Sequence, residues 1–447
     1  MKKIKASYFV SVAFICIIAF FFGSVCYRVY RARLFGDYGE TPTAEIGLYF
    51  SDEDKVDCNW PEKYPFDGEH IFEYESSQSE TEVNAQEESE GDESVYLSLV
   101  NKIKDSIDYY TTKLLPGRMK YVETNALFNK AVGMNIISGT DLVAVMKNGY
   151  LTLEATEKDT DSPAKSLKWF SDILEEKGID FAYIQYPSKE DKNDNQLPDG
   201  MTDYNNINAD NLLKKLDAEN VKNVDMRELL MQKGGNWYSN FFKTDHHWKP
   251  ETGVCAAGKI AEMLNLDFGY SLDTGIGDIN NYNVDVYEKI FLGSQGKIAT
   301  LTFADPEDIS VIYPKKKTSF TVTYNTDSPK TGSFDEVIFN KTYLNNDDFY
   351  NYSAYSSYLN GNKAVTSIKN NVCKNGVKIL VIGGSYNKCV VPYLAQTVES
   401  IDLIDRRYFD GSIINYIENK KPDVVLVAYM PILISGADTH NATYNFE

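Results

Sequence analysis

Short apolar runs separated by helical patterns constrain the fold of this chain more than any other feature of its sequence. Strand-like runs filled with apolar side chains occupy residues 179–185, 377–382, 401–404 and 423–429. Amphipathic helical patterns fall between or beside them, at residues 166–177, 209–216, 226–232 and 412–419. Apolar runs of this kind are typical of parallel strands that are buried on both faces. The alternation therefore predicts an α/β fold with a parallel sheet flanked by helices.

A different pattern begins near residue 270 and ends near residue 345, where helical periodicity disappears. Segments such as 298–303 and 319–324 are typical of strands, and Gly, Asn, Asp and Pro residues join them. Strands joined by such turn residues pair most simply as antiparallel neighbours. We therefore expect an antiparallel, β-rich insertion in the helix-flanked core.

The N-terminus carries an apolar run at residues 6–27 with basic residues on both sides. A run of this length can span a bilayer as a helix, and it exceeds the core of a signal peptide. The flanking charges are balanced and do not decide the orientation, but such an anchor commonly keeps its short tail in the cytoplasm. We expect a single-pass anchor in the cell membrane and an extracytoplasmic body. A cleaved secretory signal is the alternative, and it predicts the same compartment.

The anchor is followed by a stretch with little periodicity, residues 35–94, whose part at 73–93 is acidic and rich in serine. Such a composition has almost nothing to bury, so we interpret it as a linker that spaces the body from the membrane. Binding of a basic partner is the alternative. The catalytic body is then expected at residues 95–435, with a C-terminal tail at 436–447.

Charge and cysteine usage exclude several classes of protein. The formal net charge of −20 argues against nucleic-acid binding, which requires a basic patch. The six cysteines show no paired metal-ligand spacing. We therefore expect neither a disulfide framework nor a structural zinc site, and no cofactor.

The motif D-H-H-W at residues 245–248 carries the first candidate site residues. Pro250 follows it and suits the start of a helix, which the pattern predicts over residues 251–264. Asp245 and His247 would then share one face of an extended segment, because side chains two apart point the same way, and His246 would point away. A carboxylate beside an imidazole orients the ring for general-base catalysis.

A candidate nucleophile, Ser385, follows the predicted strand 377–382 in the stretch V-I-G-G-S-Y. Open α/β sheets bind ligands at the carboxyl ends of their strands, where this serine would lie. A helix is predicted over residues 387–398, with Pro392 causing a kink or a late start, and its first N–H groups would face an oxyanion at the serine. A serine that only caps a helix is the alternative interpretation.

Together these stretches predict a triad of Ser385, His247 and Asp245 within hydrogen-bonding reach. Five neighbours are candidates for substrate binding or oxyanion stabilisation: Gly384, Tyr386, Asn387, Trp248 and His246. For Trp248, packing in the core and stacking against a sugar are both open. A metal site is disfavoured, because adjacent histidines on an extended segment diverge and no other histidine cluster completes a coordination shell.

The stretches T-D-H-H-W at residues 244–248 and V-I-G-G-S-Y at residues 381–386 resemble the DHHW family. That family is similar to the alginate O-acetylation proteins AlgX and AlgJ, which are SGNH-hydrolase-like and place the Asp-x-His element before the serine. Asp245 and His247 match that element, and Ser385 matches the serine. The resemblance spans about residues 95–435. It departs at Gly384, where SGNH-type motifs often carry an acidic residue, and in the absence of a carbohydrate-binding module like that of AlgX.

The resemblance implies a membrane-anchored, extracytoplasmic O-acetyltransferase that modifies a cell-surface polysaccharide through an acyl-enzyme. It also implies a partner, a separate multi-pass membrane acyltransferase that supplies the acetyl group. Two alternatives stay open. A carbohydrate esterase or deacetylase would use the same triad with water as acceptor, whereas a catalytically silent glycan-binding or assembly protein would need only the fold.

Overall fold

A computed structural model describes residues 118–137, 142–344, 348–350, 352–434 and 443–447 of the chain. The predicted anchor at 6–27 and linker at 35–94 lie outside these residues, as does most of the predicted tail at 436–447. Within the described part, no helix is both long enough and apolar enough to cross a membrane. Residues Ala126–Glu447 form one compact unit, which contains all candidate site residues.

The elements are numbered here in chain order. The helices are α1 (Arg118–Ala131), α2 (Asp161–Glu176), α3 (Tyr204–Ala218), α4 (Met226–Lys233), α5 (Pro250–Phe268), α6 (Ser294–Ala299), α7 (Phe334–Val337), α8 (Val391–Leu394) and α9 (Ile413–Lys420). The strands are β1 (Ile136–Ile137), β2 (Val143–Val145), β3 (Leu151–Leu153), β4 (Asp180–Gln185), β5 (Asn223–Asp225), β6 (Tyr282–Phe291), β7 (Glu307–Pro314), β8 (Phe320–Tyr324), β9 (Lys330–Gly332), β10 (Val365–Asn370), β11 (Lys378–Gly383), β12 (Ser400–Ile404) and β13 (Val424–Tyr429).

An eight-stranded sheet with the order β5-β4-β13-β11-β12-β10-β8-β9 forms the centre of the unit. The five strands from β5 to β12 run parallel, and β10, β8 and β9 continue the sheet in antiparallel fashion. The predicted mixed α/β fold is therefore confirmed, and the apolar runs read from the sequence are its central strands.

Both faces of the sheet are buried at its centre, which explains why β13 is apolar along its whole length and β11 is apolar after its first residue, Lys378. One face packs against α5, and the apolar side of that helix includes Val254, Ile260 and Leu264. The opposite face packs against α2, α3 and α9. Because β4, β13 and β11 are parallel neighbours, their carboxyl ends lie side by side at the same end of the sheet.

The antiparallel strands predicted for residues 270–345 are present, but they do not form one separate insertion. β6 and β7 pair antiparallel in a two-stranded sheet of their own, whereas β8 and β9 extend the edge of the central sheet. The strand predicted at 298–303 is wrong, because residues Ser294–Ala299 form the buried helix α6. A short apolar run does not distinguish a buried strand from a buried helix by its periodicity.

The helix predicted over residues 387–398 is also wrong. Residues Ser385–Cys389 form a 3₁₀ turn, and only the four residues of α8 follow as α-helix. Pro392 lies in the first turn of α8, where it needs no hydrogen-bond partner for its nitrogen. The long helix that the sequence predicts after the serine is therefore absent from this segment.

Helix α5 lies against this turn at van der Waals distance between the two backbones. A Cβ atom on Gly253 would lie 2.2 Å from the carbonyl oxygen of Cys389. Only glycine permits this approach, because real Cβ atoms do not come so close to a carbonyl oxygen. Gly253 thus sets the distance between α5 and the turn that carries Ser385.

The variant Gly253→Ala is therefore expected to lower the free energy of unfolding by about 1–3 kcal/mol, the usual cost of overpacking a core. The exposed Leu266 on the same helix supplies a matched control, since its side chain is 78% exposed and Leu266→Ala should be nearly neutral. Urea denaturation of both variants measures the difference. Equal stabilities would contradict the close packing of α5 on the serine turn.

Candidate active site

The D-H-H-W motif forms a tight loop rather than the extended segment that the sequence predicted. Phe241 and Trp248 pair as an isolated bridge, and the residues between them bend sharply. The loop is stabilised from within, because the Oδ1 atom of Asp245 accepts the backbone N–H of His247 at 2.9 Å. Asp245 and His247 are therefore neighbours through a turn, not through strand alternation.

The side chain of Asp245 holds the imidazole of His247. Its Oδ1 atom forms a short hydrogen bond with Nδ1 of the ring, and both side chains are buried. The second carboxylate oxygen, Oδ2, accepts the backbone N–H of Ser294 at 2.8 Å and its hydroxyl at 3.3 Å. With both oxygens occupied, the carboxylate has one orientation, and so does the ring.

Ser385 lies at the end of β11 and completes the arrangement. Its Oγ atom is 2.6 Å from Nε2 of His247, although the two residues are 138 positions apart in the chain. The serine is half-buried, whereas His247 and Asp245 are buried behind it. The structure thus brings Asp245, His247 and Ser385 into one hydrogen-bonded chain that ends at the surface.

The turn that carries Ser385 depends on Gly383 and Asn387. A Cβ atom on Gly383 would lie 2.2 Å from Nδ2 of Asn387, so the glycine makes room for that amide. The amide donates to the carbonyl oxygens of Gly384 at 3.2 Å and Ala428 at 3.1 Å, and its oxygen accepts the hydroxyl of Tyr186 at 2.7 Å. Asn387, predicted as a substrate-binding or oxyanion residue, is therefore buried with its side-chain amide bonded to the serine turn.

Aromatic side chains enclose the imidazole of His247. The ring of Tyr355 stacks on it with centroids 4.1 Å apart, and the ring of Tyr386 lies 5.4 Å away. Lys388 places its Nζ atom 5.1 Å from the centroid of Tyr355. This surrounding excludes water from the inner side of the imidazole and leaves its Nε2 edge directed at Ser385.

The charge states follow from burial and from the pairing. Burial alone would raise the pKa of Asp245, but the attraction of His247 and His246 and the hydrogen bonds from His247 hold it well below its ordinary value. Burial lowers the pKa of His247 below its ordinary value against the attraction of Asp245. Asp245 is therefore ionised and His247 neutral near neutral pH, the states that a general base and its orienting carboxylate need.

Trp248 and Tyr386, two other residues of the predicted substrate-binding set, have buried side chains. Trp248 is fully buried between the rings of Tyr186 and Tyr386, at centroid distances of 4.8 and 4.9 Å, so it packs in the core and offers no face to a sugar. Tyr386 is buried as well and donates its hydroxyl to the carbonyl oxygen of His246. Gly384, another residue of the predicted substrate-binding set, immediately precedes Ser385 and lines the cleft beside it.

His246 does not diverge from its neighbour as the predicted extended segment required. Its ring lies 3.9 Å from that of His247, and its Nδ1 atom is 3.3 Å from the hydroxyl of Ser294. The ligand atoms of Asp245, His246 and His247 lie within 4.8 Å of one another, which is close enough for a metal ion. The hydrogen bond between Asp245 and His247 already occupies one possible ligand atom of each residue, however. A metal that binds through these two atoms would have to break this hydrogen bond.

A small cleft opens beside the serine. Its lining includes Leu359, Gly361, Lys363, Ser385, Lys388 and Asp405. Arg407 donates to both carboxylate oxygens of Asp405, from Nε at 2.9 Å and from a terminal nitrogen at 2.6 Å. The cleft therefore combines backbone groups with charged side chains beside the Oγ atom of Ser385.

Several residues that build the site had no recognisable signal in the sequence. Glu307, at the start of β7, accepts the backbone N–H groups of Lys243 and Thr244 at 2.8 and 2.7 Å and fixes the entry to the D-H-H-W loop. Gly293 allows the loop to come close, since a Cβ atom there would lie 2.2 Å from Cβ of Asp245. The G-S pair at 293–294 could have been read as a turn, but nothing local connects it to Asp245.

Comparison with known families agrees with this geometry. Residues 147–338 match a family model described as an SGNH hydrolase-like domain, acetyltransferase AlgX. The matched range contains Asp245 and His247 and ends before Ser385. A comparison with curated proteins finds no match.

Solved structures share the fold over most of their own length. PatB1 from Bacillus cereus, solved with a sulfonyl adduct, is 24% identical with a TM-score of 0.56, and the match covers 69% of this chain and 99% of PatB1. A DHHW family protein from Eubacterium siraeum is 21% identical with a TM-score of 0.52, covering 69% of this chain and 96% of that protein. The chain is therefore similar to the DHHW family and to AlgX-like SGNH hydrolase-like domains, and the resemblance read from its sequence is confirmed.

Proposed function

We propose that this protein is an O-acetyltransferase that transfers an acetyl group to a cell-surface polysaccharide through an acyl-enzyme at Ser385. The observation that carries the proposal is the hydrogen-bonded chain from the buried Asp245 through His247 to the half-buried Ser385. The family model that matches residues 147–338 is named for the acetyltransferase AlgX and supports the same class of reaction.

In the first half of the reaction, Ser385 attacks the carbonyl carbon of the acetyl donor. His247 accepts the hydroxyl proton at Nε2, and Asp245 stabilises the resulting imidazolium through Nδ1. The imidazolium then gives that proton to the leaving group of the donor, which leaves an acetyl ester on Oγ. We propose that backbone N–H groups at the start of the 3₁₀ turn, Ser385–Cys389, stabilise the oxyanion.

In the second half, a sugar hydroxyl enters the cleft and gives its proton to Nε2 of His247. It attacks the acetyl ester, and the proton returns to Oγ of Ser385 as the ester bond to the serine breaks. If water takes the place of the sugar, the same residues give an esterase or deacetylase. The rival function thus differs only in the acceptor, and the triad itself does not distinguish the two.

The cellular setting forms part of the proposal and rests on the sequence. The apolar run at residues 6–27 supports a single-pass anchor, which would hold the catalytic body outside the cytoplasm near its polysaccharide. An activated acetyl donor must then reach that side of the membrane. We propose that a separate multi-pass membrane acyltransferase supplies it.

The role of Ser385 is tested by labelling with phenylmethanesulfonyl fluoride, a probe chosen because PatB1 was solved with a sulfonyl adduct. Mass spectrometry should locate one adduct on Ser385, and Ser385→Ala should lose both the adduct and the turnover of 4-nitrophenyl acetate. Asp245→Asn should retain the adduct site but react more slowly, by up to about 10⁴-fold. Wild-type turnover by a folded Ser385→Ala protein would refute the triad, whereas a folded wild-type protein that shows neither adduct nor turnover would favour the silent binding protein.

Transfer is distinguished from hydrolysis by the fate of the acetyl group. With 4-nitrophenyl acetate and an oligosaccharide from the native cell envelope, a transferase should acetylate sugar faster than it releases acetate. Product ratios from mass spectrometry of the sugar and an acetate assay provide the measurement, with Ser385→Ala as the blank. Release of acetate at a rate that is independent of the sugar would show that the protein is a hydrolase.

The pH dependence follows from the state of His247. Its neutral form is the base, and burial lowers its pKa below the ordinary value of about 6.5, so the acid-side midpoint of sulfonylation should lie below that pH. The second-order rate constant for labelling of Ser385, measured from about pH 5 to about pH 8, gives the midpoint. A midpoint above the ordinary histidine value would show that the charge of Asp245 outweighs burial.

A further inference from the structure

Lys189 is a buried lysine that contacts the segments around Asp245 without contacting the triad itself. It follows β4 in the loop at the edge of the sheet, and only 2% of its surface is exposed. Its Nζ atom donates to the carbonyl oxygens of Leu151 and Lys243 and to the side-chain oxygen of Gln295, the last at 2.9 Å. All three donors of the ammonium group are therefore used.

The three acceptors belong to three different segments that surround Asp245. Leu151 begins β3, Lys243 precedes Asp245 by two residues, and Gln295 follows Ser294 in α6. Ser294 is the residue whose N–H and hydroxyl bind Oδ2 of Asp245. A single ammonium group thus joins the segment that carries the carboxylate to the segment that holds it.

The charge of Lys189 also matches its surroundings. The negative groups that attract it are Asp245, Glu307 on β7 and its own neighbour Glu190, and the ring of Tyr150 lies 5.9 Å from its Nζ atom. Burial lowers the pKa of Lys189 to about 8 against this attraction, so the group is mainly protonated at neutral pH. An apolar side chain would fill such a position at a lower cost in desolvation, which points to a role other than packing.

We infer that Lys189 is a positioning residue for the reaction: its ammonium group fixes the Lys243–Asp245 segment against α6 and thereby holds the carboxylate that orients His247. The inference rests on the proposed function, because Lys189 acts on the reaction only through Asp245. It assigns a role to a residue that lies outside the D-H-H-W and serine motifs.

Its neighbour Glu190 provides a matched control for the loss of a buried charge in the same loop. Glu190 is also buried, but its carboxylate accepts hydrogen bonds from the hydroxyl of Thr152 in β3 and from the amide of Asn205, and not from the Lys243–Asp245 segment or α6. The side-chain oxygen of Asn205 has no hydrogen-bond partner, so this amide can turn to meet an amide at position 190. Glu190→Gln should therefore fold and keep the wild-type kcat.

The test compares Lys189→Met, Lys189→Gln and Glu190→Gln in the full chain with 4-nitrophenyl acetate. Lys189→Met should lower kcat by about 10-fold to 100-fold, the range seen for groups that orient a reacting ligand. KM should change little, because Lys189 does not touch the substrate. The downfield proton resonance of the His247 Nδ1–H group should shift or broaden in Lys189→Met and stay unchanged in Glu190→Gln.

A folded Lys189→Met protein with the wild-type kcat and the wild-type resonance would overturn the inference. The inference would also be overturned if the loss of activity in Lys189→Met equalled the fraction of protein that thermal melting shows to be unfolded. If Lys189→Met does not fold, Lys189→Gln, which keeps polar donors without the charge, decides by the same two readouts. Failure of the proposed function looks different, since Ser385 of the wild-type protein would then take no sulfonyl adduct.

Discussion

The candidate site depends on one buried ion, the carboxylate of Asp245. A charge in this position is tolerated only if every lone pair finds a donor, and here the donors are the ring and backbone of His247 and the backbone and hydroxyl of Ser294. These contacts fix the orientation of the imidazole. The ring in turn determines where a serine has to lie, and the end of β11 places Ser385 at that point.

Close backbone approach is the second requirement of the site, and glycines provide it. Gly293 lets the α6 segment come up to Asp245, Gly253 lets α5 come up to the serine turn, and Gly383 accommodates the amide of Asn387. A methyl group at any of these positions would have to displace a backbone or a side chain that the triad relies on. The geometry of the hydrogen-bonded side chains of Asp245, His247 and Ser385 therefore depends on these three glycines.

The sequence predicts the parts of this structure whose cause is local. The strands β11 and β13 are readable because a strand buried on both faces must be apolar throughout, and Ser385 is readable because it follows such a strand after two glycines. The motif D-H-H-W is recognisable but the extended shape predicted for it is wrong, because the turn depends on a hydrogen bond that the backbone N–H of His247 donates to the side chain of Asp245. The roles of Lys189, Glu307 and Gly293 were missed because each contacts Asp245 or its segment from a distant part of the chain, and such contacts leave no periodic pattern.

The hydrogen bond from the side-chain amide of Asn387 to Ala428 has a consequence for the order in which the site is assembled during folding. The amide supports the serine turn by donating to Ala428, a residue of β13, which is the last strand of the sheet to be synthesised. This support of the serine turn is therefore complete only after β13, the last strand in the described part of the chain, has inserted between β4 and β11. A chain that ends before β13 lacks one of the two carbonyl oxygens to which Asn387 donates, so its serine turn is held less firmly.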